Sequence, residues 1–215
     1  MYKTLKNNWA LFIGFAILAT AHGFQGNLLG VRAVIEEFNY LAVGTLFSGY
    51  FLGYFIGAFY CPKLINSVGH IRTFSAFASL ASLSALIHVT FVNPYVWIFG
   101  RFLTGFSMIA IFIVTESWLN DRATNRNRGQ ILSLYMIITY VAFATGNLLL
   151  NVSSPTKYEP FILISVLFSI ALIPILLAKK KPPKFKKTAS MSIKELYRVS
   201  PFGSFAMLCT GFIYS

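Results

Sequence analysis

Two charges lie where a charge is costly. Arg101 sits about five residues inside an apolar run covering 96–119, and Glu116 stands near the far end of the same run. An ionisable group in a membrane span ordinarily faces protein or water and has a role. Arg101 can snorkel to the interface. It also shares one helical face with Thr104, Met108 and Thr115, which makes a partly polar stripe. Glu116 has two readings: a structural pair with Arg122, Arg126 or Arg128 in the following loop, or a proton carrier. His22 and Gln25 are three residues apart, with Asn27 close by, and Ser133, Tyr140 and Asn147 recur at intervals of seven. Polar groups turned to lipid are expensive, so both sets are expected to face an interior, as interhelical hydrogen bonds or jointly as one hydrated cavity. His88, near the end of another apolar run, reads as interfacial.

Catalytic chemistry finds little support. Gly105-Phe106-Ser107 gives a Gly-x-Ser, but Met108 follows, and no histidine occurs after His88 to act as the base of a six-helix intramembrane serine protease. No cluster of His, Cys, Asp and Glu has metal-ligand spacing. No catalytic residue, metal or cofactor is expected, and the protein reads as a non-enzyme. Gly49, Gly53 and Gly57 stack on one helix face and allow another backbone to approach closely. That face serves static packing, or a smooth surface on which two halves rock.

The elements that must position these residues are apolar runs of about 20 residues, each long enough to cross ~30 Å of hydrocarbon. They cover 9–29, 41–61, 73–93, 96–119, 130–150 and 158–178, and a seventh begins near 201. Tyr40 and Tyr60 bracket the second, and Tyr95, Trp97 and Trp118 the fourth, as amphipathic rings do at a bilayer surface. Short loops between the spans predict antiparallel, adjacent neighbours. Lys3 and Lys6 ahead of an apolar stretch ending Ala19-Thr20-Ala21 imitate a cleavable signal peptide, yet hydrophobicity continues to Leu29, so a first span is the better reading.

Composition agrees. The 215 residues are 56% hydrophobic and only 11% charged, which is no ordinary soluble domain. The net charge of +12 lies in short loops beside apolar runs and forms no separate basic face, so nucleic acid is not an expected partner. With the N-terminus inside, the inner segments hold Lys3, Lys6, Lys63, Arg72, Arg122, Arg126, Arg128, Lys179, Lys180, Lys181, Lys184, Lys186, Lys187, Lys194 and Arg198. The outer ones hold only Arg32 and Lys157. That asymmetry predicts a multi-pass inner-membrane protein with a cytoplasmic N-terminus. Cys61 and Cys209 imply no disulfide framework.

The chain is therefore expected to divide into a six-helix bundle at 1–178, a basic linker at 179–200 and the start of a seventh span at 201–215. Ser192-Ile193-Lys194-Glu195 has capping-box spacing, so a short interfacial helix is expected ahead of Pro201. About fifteen residues from Ser200-Pro201 to Ser215 fall short of a span. The expectation is a piece of a longer protein whose C-terminal half is missing here.

Several segments carry a family resemblance. Arg101-Phe102-Leu103-Thr104-Gly105 resembles the fourth-helix motif of the major facilitator superfamily, an Arg four residues before a Gly. Glu116-Ser117, then Asn125-Arg126-Asn127-Arg128-Gly129-Gln130 and Tyr135-Met136, is similar to the YcaD-type branch, whose substrate is undefined. The resemblance implies an all-α polytopic membrane protein, the N-terminal six-helix bundle of a major-facilitator fold. It implies secondary transport of a small solute by alternating access, with helices one, two, four and five around the cavity. On that basis His22, Gln25, Tyr50, Arg101, Thr104, Tyr140 and Asn147 are cavity candidates. Ion coupling would run through Glu116 or His22. Where the family carries an Asp-Arg pair between helices two and three, this chain has Asn66 and Ser67, keeping Gly69 and Arg72. Glu116 with Arg72 or Arg128 is the expected substitute for that charge lock. A non-transporting scaffold or sensor is the alternative. The lipid bilayer and an unidentified small solute are the expected partners.

Overall fold

A computed structural model describes residues 2–177 and 193–214. Of the expected linker at 179–200, residues 179–192, with Ser192 of the capping box, lie outside the described residues. The described chain is all helical: α1 Tyr2–Ile35, α2 Tyr40–Val68, α3 His70–Thr90, α4 Pro94–Arg122, α5 Arg128–Leu148, α6 Glu159–Ile170 and α7 Leu172–Leu176. A second unit, Lys186–Ser215, holds α8 Ile193–Val199 and α9 Pro201–Tyr214. Six helical segments, from Asn8–Ile35 to Glu159–Leu176, are long and apolar enough to cross a membrane. The protein is an all-α polytopic membrane protein.

Local sequence explains the helix ends. The Asn39 side chain accepts from the Ala42 amide at 2.7 Å at the start of α2. Asn93 accepts from the Tyr95 and Val96 amides, with Pro94 in the first turn of α4. Gly69 alone separates α2 from α3, and its φ of +85° is a conformation that side-chain-bearing residues avoid. The last span is broken at Ala171 because Pro174 has no N–H for the carbonyl of Ile170, four residues earlier. Asn8 departs from helical backbone near the start of α1.

Packing corrects the expectation that chain neighbours are the main partners. α2 lies chiefly on α4, and α1 on α5, while α3 bridges α4 and α6. Glycines account for both crossings. A Cβ on Gly53 would overlap the Phe102 carbonyl oxygen, one on Gly105 the Tyr50 carbonyl oxygen, and one on Gly146 the Thr20 carbonyl oxygen. Exchanging α1–α3 for α4–α6 turns the α2/α4 pair into the α5/α1 pair, the pattern of two three-helix repeats.

α4 is the central element, with 61% of its most apolar window buried against 28% for α2 and α5. The helix that carries Arg101 is thus the one most enclosed by protein. Two edge aromatics also move inward: Trp97 and Trp118 are buried, whereas Tyr40, Tyr60 and Tyr95 are exposed. Trp97 Nε1 donates to the carbonyls of His88 and Phe91, both at 2.9 Å. His88, near the end of α3, is likewise buried by the bundle. Its Nε2 faces the Trp97 carbonyl oxygen at 3.3 Å, because Gly100 leaves room for the imidazole.

Candidate functional site

Within the six-span bundle, α1, α2, α4 and α5 line an open pocket of about 280 Å³. Its polar groups are His22, Asn27, Tyr50, Arg101 and Asn147, and its walls are Phe47, Phe51 and Phe143 with Gly23 and Gly26. At 1.5 Å per residue, Arg101, Tyr50 and His22 lie roughly 10, 15 and 20 Å from the bundle end that carries the α1–α2 and α3–α4 loops. The pocket therefore begins about two turns in from that end of the bundle and extends toward its middle.

Arg101 is its strongest feature. The side chain is 4% exposed, and its Nε and Nη1 are buried without a hydrogen-bond partner among the described residues. What holds it is aromatic. The guanidinium carbon lies 4.5 Å from the Tyr50 ring centroid and 5.8 Å from that of Phe47. An arginine over a ring face is attracted by the ring's quadrupole. Tyr50 also reaches His22, its hydroxyl 3.1 Å from Nε2 and the two rings stacked at 5.4 Å. The other imidazole nitrogen, Nδ1, is buried and unpartnered among the described residues. Asn27 Nδ2 donates to the Asn147 side-chain oxygen and to the Gly23 carbonyl, which ties the α1 and α5 sides of the pocket together.

A depression of similar size, about 310 Å³, lies between Ala16, Thr20, Ile137, Ile138, Val141, Ala142 and Thr145. It lacks comparable chemistry. The Thr20 and Thr145 hydroxyls are both taken by carbonyls one turn back in their own helices.

The chain belongs to the major facilitator superfamily. The superfamily's model matches residues 11–215. An uncharacterized MFS-type transporter of Yersinia enterocolitica, YE1530, is 32% identical over 136 residues, which are 63% of this chain and 36% of that protein. The uncharacterized MFS-type transporter YcaD of Escherichia fergusonii is 25% identical over 205 residues, 94% of this chain and 54% of that protein. One from Enterobacter sp. strain 638 is 28% identical over 141 residues, 66% and 37% respectively. The chain spans between about a third and just over half of these curated relatives.

This major-facilitator bundle brings together four of the seven cavity candidates, His22, Tyr50, Arg101 and Asn147, together with Asn27. Three others lie elsewhere. Gln25 is fully buried beneath the pocket wall, its Nε2 3.5 Å from Ser84 Oγ. Thr104 donates to the Gly100 carbonyl or shares a proton with Ser84 Oγ at 2.8 Å, so Gln25, Ser84 and Thr104 tie α1, α3 and α4 together. Tyr140 is exposed on α5 and does not line the pocket, because Tyr135, Thr139, Ala142 and Gly146 form the buried face of that helix.

At the opposite end of the bundle, Glu116 accepts from the Tyr135 hydroxyl at 3.2 Å. The loop arginines turn to other partners. Arg128 donates through Nε and Nη2 to the Asn120 side-chain oxygen, and Arg122 donates to Asn8 at 3.0 Å. Arg72 is exposed. A Glu116–Arg128 or Glu116–Arg72 lock is thus not what this arrangement contains. Gly49, Gly53 and Gly57 face α4 of the same bundle, so that stripe is occupied by intrabundle packing and is not a free sliding surface. Ser107, the one residue with a nucleophile-like setting, donates to the Leu103 carbonyl at 2.8 Å.

Sequence reasoning passed over Phe47, Phe51 and Phe143, which are three of 22 phenylalanines and carry no positional signal. It also passed over Gly23 and Gly26. Their spacing beside His22 is the one clue that the chain leaves space there.

Proposed function

We propose that the protein is a secondary carrier that moves a small solute across the cell's inner membrane by alternating access. The observation that carries this is Arg101, a buried guanidinium with unpartnered N–H groups in a pocket shared by four spans of a major-facilitator bundle. A static structural arginine would be expected to have its donors filled, since an unmet buried donor costs ~1–3 kcal/mol or more. A site that waits for a solute leaves them open. The relatives are named as MFS-type transporters, which supports the same reading. The basic loops support a cytoplasmic N-terminus. The other half of the solute site would come from a second six-helix half, absent from this chain.

Solute uptake into proteoliposomes containing the intact protein tests this. Saturable flux, reduced at least tenfold in Arg101→Gln, is expected, whereas a scaffold or sensor shows none. Coupling is proposed to run through Glu116, whose carboxylate meets a tyrosine instead of a cation and is free to exchange a proton. Glu116→Gln is expected to abolish uphill accumulation while leaving solute exchange intact. Undiminished accumulation in that variant would rule the coupling role out.

A further inference from the structure

We propose that the solute is a small organic anion, a carboxylate carried on a flat aromatic or unsaturated body, and that Arg101 is the residue that takes its charge. The inference rests on the carrier reading for its setting, but its chemistry comes from the pocket alone. Every charged group in the lining is accounted for by one cation: the other polar residues, His22, Asn27, Tyr50 and Asn147, bring no carboxylate. An ion pair of Arg32 with Glu36, at 2.6 Å, is at the end of α1 and not in the pocket.

Geometry sharpens the class. A guanidinium is planar and its N–H bonds lie in that plane. Tyr50 and Phe47 engage Arg101 through their ring faces, at 4.5 and 5.8 Å, and ring-face stacking leaves in-plane donors available. Nε and Nη1 are buried without partners among the described residues. A guanidinium offers parallel N–H pairs along its Nε/Nη2 edge and across its Nη1/Nη2 end, and either pair matches the two oxygens of a carboxylate. The remaining walls define the body of the solute. Phe47, Phe51 and Phe143 with the Tyr50 ring present aromatic surface, which receives a flat apolar body in offset or edge contact. A sugar would leave most of its hydroxyls facing those rings. An organic cation would have to be buried beside Arg101 with no counter-charge, which is strongly unfavourable.

Titration calorimetry on the intact protein in lipid nanodiscs decides the matter with ring compounds that differ in charge. Benzoate and trans-cinnamate are the anionic probes, and benzamide and benzylammonium are the neutral and cationic counterparts of benzoate. The expected result is saturable binding of at least one carboxylate, about 10- to 100-fold tighter than benzamide, as one charge-assisted bidentate contact supplies, with benzylammonium weaker still. Arg101→Lys should keep the order of preference with reduced affinity, and Arg101→Gln should erase it. The unmodified protein settles the question even where Arg101→Gln does not fold. Absence of saturable carboxylate binding, equal or tighter binding of benzamide or benzylammonium, or a carboxylate affinity unchanged in a folded Arg101→Gln protein would each overturn the proposal. Flux separates it from the carrier reading. Carboxylate binding without carboxylate uptake leaves the pocket chemistry standing and removes transport. Uptake of a cation that is indifferent to Arg101 does the reverse.

Discussion

Tyr50 has two tasks in the pocket, and a pair of substitutions pulls them apart. Its ring carries the Arg101 guanidinium and its hydroxyl meets His22 Nε2 at 3.1 Å. Tyr50→Phe keeps the ring and removes only a hydrogen bond worth about 1 kcal/mol, so uptake should fall by no more than about fivefold. Tyr50→Leu removes the ring face as well, and a desolvated cation–π contact of about 2 kcal/mol or more adds a further loss of at least tenfold. Initial-rate uptake measured for both variants checks the order; equal losses would mean that the ring does not position Arg101. The residue scale is also where the sequence was least legible. Intervals of three and seven suggest shared faces for His22 with Gln25 and for Tyr140 with Asn147. They carry no information about which neighbour a face meets. Gln25 went to Ser84 and Tyr140 to the surface for that reason.

At the scale of helices, position within a crossing decides what a glycine contributes. Gly53 and Gly105 face each other across α2 and α4, where a Cβ would overlap a carbonyl oxygen of the opposite helix. Backbone cannot swing aside as a side chain can, so Gly53→Ala or Gly105→Ala must push the helices apart, at about 1–3 kcal/mol. Gly44 lies in the same helix with nothing within 4 Å of the added methyl. Gly44→Ala should be neutral or stabilising by about 0.5–1 kcal/mol, through the lower entropy of the unfolded chain and better helix propensity. Thermal unfolding in detergent should show lower midpoints for the first two variants and an unchanged or raised one for the third. A uniform response would mean that close approach is not what these positions provide. The four-residue spacing of Gly49, Gly53 and Gly57 was readable as a close-packing face, but its partner was not. The loops between spans are short and favour chain neighbours, and only the complementary position of Gly105 on α4 selects the α2–α4 pairing.

For the whole molecule, the pairing of α2 with α4 and of α1 with α5 fixes which loops share an end, and the charges then fall unequally between the two ends. One end carries Lys63, Arg72, Arg122, Arg126 and Arg128; the other carries Arg32 and Lys157. Arg32 is also partly neutralised, through its ion pair with Glu36, and donates to the Pro155 carbonyl at 2.9 Å. The excess of Lys and Arg at the first of these ends is what argues for a cytoplasmic basic end. Impermeant-maleimide labelling tests it directly. Asn125 and Thr156 are exposed in the α4–α5 and α5–α6 connections, so a cysteine at either is reachable from its own side of the membrane. In a background with Cys61→Ala and Cys209→Ala, Thr156→Cys should react on intact cells and Asn125→Cys only after permeabilisation. The opposite pattern would invert the orientation. Labelling of both on intact cells would remove an odd number of spans between them, and with it the placement of Arg101 below the outer surface, because α5 would no longer cross the membrane.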